Sequence, residues 1–174
     1  ELNPAFDGKV TPQIDNGVVT SLEFLTDQVT DISPMQALPE LRALTIHGSG
    51  KVWETNGKLA SLAPLKDMKL TFLNCEGTLV SDLSPLKGME LTELICGATR
   101  VTDLSPLKDM KLHHLSCQWT RVSDLSPLKD MKLVELDIGS TRVSDLSPLK
   151  DMKLTILACW VTRVSDLSPL KNMK

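Results

Sequence analysis

Four cysteines are the residues of this chain best suited to chemistry, because thiols can pair, bind metals or act as nucleophiles. Their spacings are multiples of 21 residues: Cys75, Cys96, Cys117 and Cys159. Adjacent strands would place such thiols about 4.8 Å apart on parallel Cα–Cβ bonds, which fits poorly with the ~3.8 Å between the Cβ atoms of a disulfide. A ladder of single thiols also gives no tetrahedral convergence for a metal. We therefore expect reduced, inward-facing thiols, which favours a reducing compartment such as the cytoplasm but otherwise leaves the location open.

A second candidate group consists of Glu93, His114 and Glu135, which are also 21 residues apart. On adjacent strands these side chains could bind a metal ion, or they could form a solvated ladder of ion pairs, which is the interpretation we prefer. The sequence has no Gly-rich phosphate loop after a strand, no His-Glu-x-x-His and no Cys-x-x-Cys. Its Ser-Asp pairs recur from one copy of a repeated unit to the next, so none is a unique nucleophile. We predict no catalytic site, no cofactor and no metal, and thus a protein that is not an enzyme.

The 21-residue spacing of the cysteines and of the Glu-His-Glu group comes from a repeated sequence unit, which places equivalent side chains on successive coils. Five copies of a 21-residue unit begin at Leu70, Leu91, Leu112, Leu133 and Leu154, with apolar residues at unit positions 1, 4, 6 and 11. This pattern resembles the leucine-rich repeat family. Two less regular units begin at Val19 and Leu41, and the second contains an inserted loop at about 50–57, Gly-Lys-Val-Trp-Glu-Thr-Asn-Gly. The resemblance therefore implies seven repeats over residues 19–174.

The resemblance implies an α/β leucine-rich repeat solenoid, a right-handed coil with a concave parallel sheet and a convex side of 3₁₀ or single-turn helices. Unit positions 2–7 are predicted to form each strand. Ser-Pro at positions 15–16 is predicted to be the N-cap and first residue of each turn. Residues 1–18 are predicted to be an N-terminal cap, in which Asn16-Gly17 joins a strand around 10–14 to one around 18–24. Pro12 favours the sheet edge for the first of these strands.

Three further features have structural interpretations. The Thr at unit position 9, where the family usually carries Asn or Cys, is expected to hydrogen-bond to neighbouring backbone. Arg at position 10 and Asp at position 13 are expected to form an array of salt bridges on the rim, while Lys and Asp at positions 18–19 are expected to be a solvated convex face. Trp53, in the inserted loop, either folds back as a lid over apolar surface, which we prefer, or contacts a ligand.

Variation among the five regular units is concentrated at positions 2, 3, 5, 7 and 8, whereas the framework positions are constant. Alternation along a strand would point these variable side chains outward from the sheet. Aromatic side chains beside a few polar groups are typical of a protein-binding face, although drift at unconstrained positions is the alternative explanation. The predicted binding residues on the concave face are Phe72, Asn74, Glu76, Glu93, Ile95, His114, Ser116, Gln118, Trp119, Glu135, Asp137, Ile156 and Trp160.

The sequence favours a binding module for a protein or peptide, with a glycan as a further possibility. The Asp-Ile-Ser-Pro-Met at 31–35 and the Asp-Leu-Ser-Pro-Leu copies resemble the repeats of internalins and of bacterial domains attached to Ser/Thr kinases. The constant frame with varied concave positions also resembles leucine-rich repeat antigen receptors. These resemblances imply recognition without naming a partner. A net charge of -3 and a pI near 5.6 argue against nucleic acid, and no apolar run approaches the ~18 residues of a membrane span.

The alternative function is structural. The sequence stops at Lys174, at a repeat boundary and without a polar cap, and it begins at Glu1 like a piece cut from a longer chain. An uncapped last repeat could stack end to end or self-associate, or further residues could cover it.

Overall fold

The computed structural model describes residues 2–51 and 53–171. Within these residues the strands form one eight-stranded sheet in which spatial order follows chain order. The strands are β1 (Thr11–Asp15), β2 (Val18–Leu25), β3 (Ala43–His47), β4 (Phe72–Asn74), β5 (Glu93–Ile95), β6 (His114–Ser116), β7 (Glu135–Asp137) and β8 (Ile156–Ala158). Short 3₁₀ turns alternate with the parallel strands, at Ser33–Ala37, Ala63–Leu65, Ser84–Leu86, Ser105–Leu107, Ser126–Leu128, Ser147–Leu149 and Ser168–Leu170. Met173, predicted to lie at unit position 20, and both chain termini fall outside the described residues.

The first two strands form an antiparallel hairpin, and every later strand pair is parallel. Asn16 and Gly17 form its turn, with φ angles of 51° and 81°. Positive φ at both central residues is what a tight hairpin turn requires, and Asn and Gly adopt it readily. Pro12 lies in β1, which has a neighbour on one side only, so its missing N–H does not interrupt the sheet.

The strands of the regular repeats are shorter than predicted, because they span unit positions 3–5 rather than 2–7. Backbone hydrogen bonds between coils continue past the strands: the N–H of Cys75 donates to Ile95 at 2.9 Å and that of Gly77 to Gly97 at 3.0 Å. The residue at position 8 then adopts a positive φ, for example 49° at Ala98. This left-handed residue bends the chain away from the sheet, which ends the strand.

Aliphatic side chains from each coil fill the space between the sheet and the turns. The Leu residues at positions 1 and 4, the Val at position 11 and the Leu at positions 14 and 17 are buried from Leu70 to Leu149. Position 6 also points inward, so Cys75, Cys96 and Cys117 are buried, as is Ile138 in the one regular repeat that lacks a Cys there. The last coil is covered on one side only, and Leu167 is 60% exposed. The interior is therefore one continuous aliphatic core that grows by one layer per repeat.

The 3₁₀ turns begin differently from the sequence prediction. Leu, not Ser, occupies the N-cap, and Ser is the first residue of each turn. The Asp two residues earlier stabilises it: Asp82 accepts the Ser84 N–H and hydroxyl, each at 2.8 Å. The predicted Arg–Asp array is therefore wrong, because the Asp carboxylates bind Ser in every regular repeat. The Ser84 N–H and hydroxyl also hold the pKa of Asp82 below its ordinary value.

Two other repeated polar residues have backbone roles. The Thr hydroxyl at position 9 donates to the carbonyl at position 6 of its own repeat, as from Thr120 to Cys117 at 2.6 Å, so it does not link neighbouring repeats. The Asp at position 19 is exposed, as predicted, and adopts a left-handed conformation after the turn, with φ of 64° at Asp130. Asp tolerates this conformation better than most residues, which gives it a structural use besides solvation.

Candidate functional site

Two rows of side chains cover the open face of the sheet, which we call the sheet face. They come from unit positions 3 and 5, and strand register aligns them directly: Phe72, Glu93, His114, Glu135 and Ile156 form one row. The second row is Asn74, Ile95, Ser116, Asp137 and Ala158. Each of the thirteen predicted binding residues is described, and none is buried. The sheet therefore brings the residues of positions 3 and 5 together as the sequence predicted.

Three indoles line the edge at which the strands end, and we call this group the aromatic border. The ring of Trp119 lies 5.3 Å from that of Trp160 in an edge-to-face arrangement, and 6.2 Å from that of Trp53. Such centroid distances are those of favourable aromatic pairs. Their exposed fractions are 37% for Trp119, 42% for Trp160 and 54% for Trp53. The cluster is therefore packed within itself yet open to solvent.

A glycine allows Trp160 to reach an indole that belongs to a repeat two units away. Trp160 and Gly139 both occupy position 7, in neighbouring repeats, and a Cβ on Gly139 would overlap the Trp160 indole. The bare backbone thus gives the ring a surface to lie on while it extends to Trp119. Gly97 acts similarly two repeats earlier, because Gln118 donates to Glu76 at 3.2 Å across it.

Position 8 differs from its predicted role as an outward strand position. It lies in the left-handed turn after the strand, with φ of 56° at Trp119 and 52° at Val161. At this position Ala98 is buried whereas Trp119 and Val161 are exposed, so the position forms a border and not part of the sheet face. A large side chain in this conformation carries backbone strain of about 1–2 kcal/mol.

The loop that carries Trp53 crosses the edges of the next two repeats. Thr55 donates its hydroxyl to the Ala98 carbonyl at 2.9 Å, and the Gly57 N–H donates to Gly77 at 2.9 Å. Trp53 therefore packs against Trp119 and leaves half of its surface exposed. Trp53 thus folds back on apolar surface, namely the Trp119 ring, in line with the preferred interpretation, whereas a contact with a ligand stays a prediction. Trp53 was not among the predicted binding residues.

The row at position 3 contains one close contact between an imidazole and a carboxylate. The Nδ1 of His114 lies 3.5 Å from a Glu135 carboxylate oxygen, and both side chains are 42% exposed. The register places Glu93 beside His114 on the other side. In the part of the chain that the structure describes, no cluster of three His, Cys, Asp or Glu residues has the arrangement of a metal site. Such exposed pairs contribute little to stability, typically about 0–1 kcal/mol.

Comparison with solved structures identifies the fold. An internalin (inlF) from Listeria monocytogenes superposes with a TM-score of 0.75 at 30% identity, over 83% of this chain and 42% of that one. Internalin C2 from the same species gives 0.69 at 27% identity, over 90% of this chain and 77% of the other. The chain is a leucine-rich repeat protein, similar to internalins. A plant ice-binding protein shares the fold alone, at a TM-score of 0.53 and 15% identity.

This leucine-rich repeat chain thus spans less than half of the first internalin's length. No family model matches its sequence, and no curated protein does either. None of the helices that the structure describes has the length and apolar character needed to cross a bilayer. The prediction of a leucine-rich repeat solenoid from the repeat pattern is confirmed by the internalin similarity and by the alternation of short strands with 3₁₀ turns.

Burial raises the pKa values of several thiols and of one carboxyl group close to the leucine-rich repeat sheet. Burial raises the pKa of Cys75 and of Cys117 to about 12, since the thiolate would lose its hydration, and nearby Glu76 and Asp137 add to the respective shifts. The half-buried Glu76 has a raised pKa for the same reason, and the Asp137 carboxylate adds to this. Its hydrogen bond from Gln118 and the neighbouring His47 oppose the shift.

Proposed function

We propose that the chain is a non-enzymatic recognition module whose sheet face and aromatic border bind a protein or peptide. One observation carries this proposal: Trp53, Trp119 and Trp160 come from three different repeats and meet at a solvent-exposed edge. None of the three indoles belongs to the buried hydrophobic core. Trp is one of the residue types enriched among the anchors of protein interfaces.

The sheet face supplies the rest of a recognition surface. Phe72, Ile95 and Ile156 place apolar side chains among carboxylates, an imidazole and an amide, and all project from the same side of the sheet. A mixture of apolar and polar side chains is the usual composition of a protein interface as a whole. The similarity to internalins supports a protein-interaction module, because stacked repeats create an extended concave surface.

A peptide library displayed on phage tests the proposal without a known partner. Peptides selected on the immobilised chain should lose binding to the Trp119→Ala/Trp160→Ala variant by about tenfold or more, as for the removal of interface anchors. The variant should fold, because Ala98 occupies the position of Trp119 with φ of 49° and glycine occupies the position of Trp160 in two repeats.

Ile14→Ala/Val18→Ala is the matched control, since both side chains are exposed hydrophobics on the hairpin and away from the border. It should leave peptide binding unchanged. The loss of stability in the double Trp variant should be smaller than in Leu136→Ala, which removes a core side chain at about 2–5 kcal/mol. The proposal would be overturned if the chain bound glycans on an array through Trp119 and Trp160 while no selected peptide required these residues.

A further inference from the structure

The charge on the sheet face has one sign. Along the strands described from β2 to β8, the rows at positions 3 and 5 contain no Lys or Arg. They contain four carboxylates, from Glu23, Glu93, Glu135 and Asp137. The basic groups of these strands are imidazoles, and each pairs with a carboxylate: His47 with Glu23 at 3.6 Å and His114 with Glu135 at 3.5 Å. An incoming group would therefore meet a negative surface, because four carboxylates outnumber the two imidazoles.

The carboxylates adjoin the indoles. Asp137 accepts the Gly139 N–H at 2.8 Å, and Gly139 is the residue over which Trp160 lies. Glu76 is bonded to Gln118, the residue immediately before Trp119. Gly139 thus joins the Asp137 carboxylate to the Trp160 ring, and Gln118 connects Glu76 to the backbone that carries Trp119. This pairing suits a cation, whose charge is attracted both by the ring face and by the acid.

One contact in the structure already shows this preference. The Lys51 ammonium lies 5.4 Å from the ring centre of Trp53, within the range of a cation–π interaction. The exposed Arg residues at position 10 are not part of the two rows of the sheet face, but Arg100 and Arg121 line a cleft together with Trp119. Apart from the His114 imidazole, the ionisable groups of the sheet face are therefore carboxylates, which favours a complementary segment of positive charge.

We propose that the partner presents a basic segment, in which Lys or Arg side chains contact the carboxylates between β5 and β8 and the indoles of Trp119 and Trp160. This inference rests on the proposed function and adds the chemical class of the ligand. Arg fits the site well, because its planar guanidinium can stack on an indole and donate two hydrogen bonds to one carboxylate. Apolar residues of the same segment would contact Ile95 and Ile156.

The same displayed peptide library, of random sequence and not biased in charge, provides the probe. Among peptides that require Trp119 and Trp160, Lys and Arg should exceed Asp and Glu, and binding should weaken as NaCl rises. The Glu93→Gln/Glu135→Gln/Asp137→Asn variant should reduce their affinity about tenfold or more. Asn at 137 retains an oxygen for the Gly139 N–H, so the local backbone is preserved.

The matched control removes three carboxylates elsewhere. Asp109→Asn/Asp130→Asn/Asp151→Asn changes the net charge equally at exposed left-handed positions, which Asn also tolerates. It should leave the affinity within about twofold, because distant charges are screened. Trp-dependent peptides without a basic excess, or equal effects of the two triple variants, would overturn the inference and leave the proposed function standing. A library that yields no Trp-dependent peptide would refute the proposed function and this inference with it.

Discussion

Gly139→Ala should separate Trp160 from Trp119, because the added methyl group would occupy the space of the Trp160 indole. The backbone itself accepts Ala, since Gly139 is absent from the residues with positive φ. Trp160 is 42% exposed, so rather more than half of its surface is covered. A Trp that buries about 150–250 Å² when fully covered would lose contact over roughly 100–140 Å² here.

At about 25 cal/mol per Å², this loss has an upper limit of about 2.5–3.5 kcal/mol. The displaced ring will recover part of it elsewhere on the surface. We therefore expect a decrease of about 1–3 kcal/mol in unfolding free energy, or about 2–10 °C in Tm for a chain of this size. Binding of Trp-dependent peptides should fall as well, because the border is no longer assembled.

Spectroscopy can follow the cluster directly, since the chain has three Trp and no Tyr. Near-ultraviolet circular dichroism and Trp emission should change in Gly139→Ala, while the far-ultraviolet spectrum should not. A double-mutant cycle isolates the cause: in a Trp160→Ala background, Gly139→Ala should cost less than about 0.5 kcal/mol. An equal cost in both backgrounds would refute the reasoning, because the damage would then arise from the backbone and not from the indole.

Three other predictions concern the repeat framework. The pKa of Asp82 is depressed below 3.8, so its hydrogen bonds to Ser84 stabilise the fold above that pH and are lost as the pH falls further. The Tm of the chain should therefore drop below pH 3.8, and the drop should be less steep in Asp82→Ala. Thr120→Val removes a buried hydroxyl that donates to the Cys117 carbonyl, and the unfolding free energy measured in urea should decrease by about 1–2 kcal/mol. An unchanged unfolding free energy would show that this hydrogen bond does not stabilise the fold. Iodoacetamide at pH 8 should label the half-buried Cys159 first, as judged by mass spectrometry, because the other three thiols are buried; rapid labelling of Cys117 would contradict the structure.

The sequence predicted the framework well because each buried position repeats. Leu at positions 1 and 4 and Cys or Ile at position 6 appear in register, and a fixed period in aliphatic residues leaves few other folds. The lengths of the strands were not predictable from that period. They depend on the left-handed residue at position 8, where Gly77 signals a turn but Trp119 and Val161 do not. Comparison of the repeat sequences does not reveal this left-handed residue, because the backbone conformation at position 8 is the same in every regular repeat while the residue type varies.

The turn chemistry was mispredicted for a related reason. A Ser before Pro resembles an N-cap, and an Arg three residues from an Asp resembles an ion pair. The observed Asp82–Ser84 contact satisfies both the Ser N–H and its hydroxyl at a separation of two residues. A local bond of this kind orders little additional chain, whereas a surface ion pair must fix two long side chains. Short-range geometry therefore decided which partner the carboxylate took.

The candidate site shows what a comparison of equivalent positions cannot detect. Position 7 contains Glu76, Gly97, Gln118, Gly139 and Trp160 in order, so long side chains alternate with glycines. Viewed singly, the two glycines look like unconstrained drift, yet each is the surface across which side chains of flanking repeats meet. Contacts at the border therefore join repeats that are two units apart, and the variable residues depend on one another. Independent drift at unconstrained positions does not predict such dependence, whereas a surface assembled from several repeats requires it.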